Sequence, residues 1–121
     1  MELLDAKDFY SDFSYPNGIL KIIELNLVDF DLWYLMQQEQ AILRIKGLKE
    51  RYPGRKLIPF ARRDDSDDIA CFEVGKKDRV QIIHDFSSEG YEQRKEYACF
   101  WNWFRDAVNE MIDQDERDEQ L

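Results

Sequence analysis

The sequence predicts an α+β domain, a mostly antiparallel sheet flanked by helices in the rough order α-α-β-β-β-α. Three observations carry this prediction: apolar residues at helical spacing in the amino-terminal part, two β-rich runs joined by a short glycine-containing loop, and a wide aromatic stripe near the carboxy terminus. The chain has 121 residues, which suits one hydrophobic core and leaves no room for a second domain. Residues 1–112 are read as that domain.

The first helix is expected over residues 16–27, where Ile19, Ile22, Ile23 and Leu27 recur at spacings of three and four and Pro16 suits a first turn. A second is expected from Leu32, Leu35 and Met36 through Ile42 and Leu43, ending in the breaker-rich stretch Gly47 to Pro53. From Leu57 the period changes. Leu57-Ile58-Pro59-Phe60 is short and apolar, and its proline suits a strand end or a sheet edge. Ile69–Val74 and Arg79–His84 read as an antiparallel hairpin closed by Gly75-Lys76-Lys77-Asp78.

After Ser87-Ser88-Glu89-Gly90 a long closing helix is expected, with Tyr97, Phe100, Trp101, Phe104, Val108 and Met111 on one stripe and Trp103 and Ala107 widening it. Helical spacing makes this stripe a core face rather than an aromatic cofactor box. Residues 113–121 carry five acids against Arg117 and read as an acidic tail that frays into solvent.

The net charge of −9 is unevenly distributed. Arg44, Lys46, Lys49, Arg51, Arg55, Lys56, Arg62 and Arg63 stand against Glu50 alone, a net of +7, which leaves −16 on the remainder. A chain so acidic repels phosphate backbones, so nucleic acid is a disfavoured partner. The segment 44–63, with Tyr52 and Phe60 for stacking, is the one place that could touch nucleic acid. The blander reading pairs its charges with nearby acids such as Glu39, Glu50 and the aspartates that follow. No apolar run is long enough to span a membrane, and Met1-Glu2-Leu3-Leu4-Asp5 lacks the basic start of a secretory signal, which reads as cytoplasmic.

Asp64-Asp65-Ser66-Asp67-Asp68 is the obvious metal candidate, but a calcium loop starting at Asp64 would need glycine at Ile69 and glutamate at Gly75. It reads instead as a solvated acidic turn, and Asp64, Asp65, Asp67 and Asp68 are the candidate partner-binding residues. No metal or cofactor is expected. Cys71 and His84 could pair as nucleophile and base with Asp85 as orienter, yet consecutive strand residues face opposite sides and the apolar setting of Cys71 disfavours the thiolate. Cys71 and Cys99 read as reduced packing residues, and no catalytic constellation emerges.

Taken in order, Leu57-Ile58-Pro59-Phe60-Ala61, an acidic turn ending in Asp67-Asp68, the strand Ile69-Ala70-Cys71-Phe72, the hairpin into Val80–His84 and a closing helix around Phe100 and Phe104 resemble the SUKH superfamily. That superfamily includes a fungal cell-wall assembly regulator and many bacterial immunity proteins, the antitoxins of polymorphic toxins. The resemblance covers residues 57–112 and implies a helix-flanked antiparallel sheet and a non-catalytic role in capturing a protein partner, such as a basic toxin domain. The alternatives are a regulatory interaction module without a toxin partner, and a nucleic-acid binder using residues 44–63.

Overall fold

A computed structural model describes residues 1–120. After a short 3-10 turn at Ala6–Asp8, the elements run α1 (Asn17–Glu24), β1 (Asp29–Phe30), β2 (Trp33–Leu35), α2 (Gln38–Arg51), β3 (Leu57–Arg63), β4 (Asp68–Glu73), β5 (Val80–His84), β6 (Gln93–Tyr97) and α3 (Phe100–Glu119). The six strands form one antiparallel meander in sequence order. The α+β class and the hairpin of β4 and β5 are as expected, with Ile69 opposite Ile83 and Cys71 opposite Gln81. The element order differs. It is α-β-β-α-β-β-β-β-α; the two differences of order, and a third in the placement of Pro59 in the sheet, have separate physical causes.

The first is the stretch Asp29–Leu35, expected as the start of the second helix, which forms the β1–β2 hairpin. Asp31 takes a left-handed φ of 70° and donates its N–H to Asp29 Oδ1 at 2.9 Å, so a side-chain-capped turn reverses the chain. The second is β6, expected as loop and helix start. Its Gln-Arg-Lys-Glu-Tyr sequence shows no apolar alternation because it is the outer strand, and charged side chains suit an edge.

The third concerns Pro59. The strand that holds it is central, between β2 and β4, rather than a sheet edge. The missing proline N–H is tolerated at a bulge, where the register shifts between Pro59 and Ala61. That one-residue slip also reassigns faces: beyond it Arg63 points to α3 and pairs with Glu110, while Arg62 joins the α2 side of the sheet.

The main core lies between the sheet and α3. Phe60 stacks on Phe72 with centroids 4.5 Å apart, and Trp103 meets Phe60 edge-on at 4.9 Å and Trp33 at 5.7 Å. The stripe on α3 is centred on Phe100, Trp103 and Ala107, all buried, whereas Phe104 is half-buried and Trp101 exposed. Acids from Asp113 onward lie within α3, which runs to Glu119. Helix α1 covers the same face. A Cβ at Gly18 would fall 2.6 Å from the Phe100 ring, so only glycine permits this approach. On the other face α2 buries Ala41, Ile45 and Leu48 against β3. No helix among the described residues is long and apolar enough to cross a membrane.

Candidate functional site

Antiparallel meander topology puts the β1–β2, β3–β4 and β5–β6 connections at the same end of the sheet. Backbone hydrogen bonds lace them together. Asp64 N–H donates to Leu32 O at 2.8 Å, and Asp85 N–H donates to Asp67 O at 3.2 Å. The acidic turn is therefore built into a surface of three loops instead of standing alone.

Its four aspartates divide into two pairs. Asp65 accepts both Arg63 Nε and Nη2, at 2.7 and 3.0 Å, and those hydrogen bonds hold its carboxyl below the ordinary range. Asp68 lies 2.8 Å from His84 Nδ1 and 3.2 Å from Arg94 Nε. Asp64 and Asp67 are exposed and have no ion-pair partner among the described residues. Asp31 and Glu89, on the two neighbouring loops, are exposed in the same way. The site thus keeps Asp64 and Asp67, assigns Asp65 and Asp68 to internal pairs, and gains Asp31 and Glu89. No three His, Cys, Asp or Glu side chains among the described residues are placed to hold a metal.

The β5–β6 loop is tied down on both flanks. At its start the fully buried Asp85 carboxylate accepts Arg44 Nη1 at 2.8 Å and Arg51 Nε and Nη2 at 2.7 Å each. Burial raises its pKa, but hydrogen bonds from Arg51, Arg44 and the Phe86 N–H outweigh this and hold it below the ordinary value. At its end Glu92 accepts Arg55 Nη1 at 3.0 Å and the Gly90 N–H at 2.7 Å. Tyr52 reaches across from the end of α2 to donate to Ser87 O at 2.8 Å. Gly47 permits the first tie. A Cβ there would lie 2.6 Å from Arg51 Nη2, so a bare helix surface lets Arg51 fold back to Asp85.

This loop presents Phe86 and Tyr91 to solvent, at 60% and 82% exposure. Phe86 has φ 69°, a region that costs a bulky residue about 1–2 kcal/mol. Its ring covers the Arg51 guanidinium at 4.2 Å, and an exposed contact of that kind contributes about 0.5–1 kcal/mol. The Arg44 guanidinium lies 5.5 Å from the same ring, so the two contacts together are comparable with the strain, and strained residues concentrate at functional surfaces. The sequence signal was a lone aromatic within the polar run His84-Asp85-Phe86-Ser87-Ser88-Glu89-Gly90.

The segment 44–63 keeps only half of its cations out of ion pairs: Lys46, Lys49, Lys56 and Arg62 make none among the described residues. Arg44 and Arg51 serve Asp85, Arg55 serves Glu73 and Glu92, and Arg63 serves Asp65 and Glu110. Of the acids expected as partners only Asp65 takes part, because the strands bring in more distant carboxylates. Tyr52 and Phe60 are buried and cannot stack on a base. Cys71 and His84 do not meet either. Cys71 pairs with Gln81, its thiol is pushed well up by burial, and Asp85 is engaged by arginines. Comparison with protein-family models, curated proteins and solved structures gives no match to this chain.

Proposed function

We propose that the chain is a non-catalytic protein-binding domain of the immunity type, which neutralises a basic toxin domain in the cytoplasm through the loop end of its sheet. The observation that carries this reading is the set of unpaired carboxylates, Asp31, Asp64, Asp67 and Glu89, on the same interlaced loops as exposed Phe86 and Tyr91. Acidic groups at a rim speed encounter with a basic partner and fix its register. Buried aromatic anchors supply most of the affinity. Loops already tied by Asp85 and Glu92 lose little further freedom on binding, which favours tight association. The resemblance of residues 57–112 to the SUKH superfamily supports the same reading.

Co-expression with a small cationic toxin domain encoded beside this chain tests it: the chain restores growth and co-purifies with the toxin. Undiminished toxicity and no complex with any neighbouring toxin would move the assignment to a regulatory interaction module. Once a complex is in hand, Asp64→Asn with Asp67→Asn lowers the association rate and flattens its dependence on salt, measured by surface plasmon resonance. Asp65→Asn with Asp68→Asn changes that rate less, because those carboxylates already face Arg63 and Arg94 within the chain. An equal effect of the two pairs would reject the division of the turn.

A further inference from the structure

Beside the β5–β6 loop, between it and α2, a surface groove of about 350 Å³ is lined by Leu43, Arg44, Gly47, Arg51, Arg62 and Phe86, with Gln40 at its margin. Three guanidiniums line it, and the only carboxylate paired with any of them is Asp85, which Arg44 and Arg51 share, so the groove is cationic on a chain of net charge −9. Arg44 reaches Asp85 through Nη1 alone and Arg51 through Nε and Nη2, which leaves Arg44 Nη2 and Arg51 Nη1 as donors. Arg62 makes no ion pair among the described residues and lies over the Tyr34 ring at 5.6 Å. Apolar surface completes the groove: Leu43 is 75% exposed, and Phe86 is held over it in a conformation phenylalanine disfavours.

We propose that this groove docks an acidic peptide segment that carries an aromatic side chain. Carboxylates of the segment take the free donors of Arg44, Arg51 and Arg62, and its aromatic side chain packs between Leu43 and Phe86. Guanidinium groups suit this role because their planar forks bind carboxylates with defined geometry. Charge complementarity selects a peptide over a nucleic acid. Arg55 and Arg63, which would extend the patch toward a track for a phosphate backbone, are consumed by Glu73, Glu92, Asp65 and Glu110; Lys46, Lys49 and Lys56 make no ion pair among the described residues but do not line the groove, and Asp64 and Asp67 stand unpaired on the adjoining turn. Such a backbone needs a continuous basic stripe, whereas one or two carboxylates need only this groove.

The test does not depend on the immunity reading, since it uses synthetic probes and no toxin. Fluorescence anisotropy compares a short fluorescein-labelled peptide of glutamate and phenylalanine with glutamine–phenylalanine and glutamate–glycine counterparts and with single-stranded oligothymidine. The acidic aromatic peptide binds about tenfold tighter than each of the other three. Arg62→Gln and Phe86→Gly each weaken it about tenfold. Both variants keep the fold, since Arg62 holds no carboxylate and glycine suits φ 69°. Equal binding of the three peptides, unchanged binding by either variant, or tighter binding of oligothymidine would overturn the proposal, the last by assigning the groove to nucleic acid. Any of these leaves the co-expression result standing.

Discussion

Neighbouring residues Trp103 and Phe104 show how burial is decided by the turn of about 100° between consecutive helical positions. Counting apolar spacing from Tyr97 centres the stripe on Phe104, but α3 begins at Phe100 and its inward residues are Phe100, Trp103 and Ala107. Trp103→Ala is therefore expected to cost about 3–5 kcal/mol in denaturant unfolding, and Phe104→Ala about 1–2 kcal/mol, since Phe104 is only partly buried at the edge of the core. The reverse ranking would misplace the helix. Gly47 offers a second test at this scale. Glycine to alanine within a helix normally stabilises by about 1 kcal/mol, yet Gly47→Ala sets a methyl against the Arg51 guanidinium and disturbs charge-assisted bonds worth about 1.5–3 kcal/mol. The net expectation is destabilisation. In an Arg51→Ala background the same substitution becomes stabilising, and a double-mutant cycle reads the change of sign.

At the scale of elements, the β5–β6 loop is held by a charge cluster that spans α2 and the sheet. Asp85→Asn removes the buried anion and strands Arg44 and Arg51, at a cost of about 3 kcal/mol, the low end for a broken buried pair because both arginines are partly exposed. Hydrogen exchange of residues 86–92 rises with it. The pH dependence has a definite sign. Asp85, Glu73, Glu92 and Asp65 all have pKa values lowered in the folded state. Their stabilisation is complete above the unfolded carboxylate range of about 3.9–4.3 and is lost as pH falls through the lower folded values. Thermal midpoints should hold from neutral pH to about 5 and then drop, with a shallower drop in Asp85→Asn than in the parent. A flat midpoint down to pH 2 would exclude these carboxylates as stabilisers.

For the molecule as a whole, the buried ion pairs join residues far apart in the chain, while many surface charges stay unpaired. At the loop end the unpaired charges are Asp31, Asp64, Asp67 and Glu89, with Arg62 in the groove beside it. Replacing Asp64 and Asp67 by asparagine should change stability by no more than about 0.5 kcal/mol, as for surface positions without partners. Replacing Asp68, which faces His84 and Arg94, should cost more, and urea midpoints at equal m-value separate the two. A large loss from the Asp64 and Asp67 pair would give these residues a structural role and remove them from the steering surface.

The α+β class, helix α1, the later part of α2, the β4–β5 hairpin and the aromatic face of α3 are legible before folding, because each is written in the spacing of residues close in the chain. The acidic turn is legible too, and two of its four carboxylates remain at the candidate site. Long-range pairing places Leu32 to Leu35 in a hairpin, makes Gln93–Tyr97 a strand, and puts Pro59 at a bulge in the middle of the sheet. Pairing decides these features: a polar edge strand has no periodicity of its own, and a bulge exists only relative to its neighbour. The same holds for the charges. Arg44 and Arg51 meet Asp85 from 41 and 34 residues away, and Arg63 meets Glu110 from 47. Which cations are consumed and which remain for a partner is set by strand order and by the bulge, and neither is legible from local spacing.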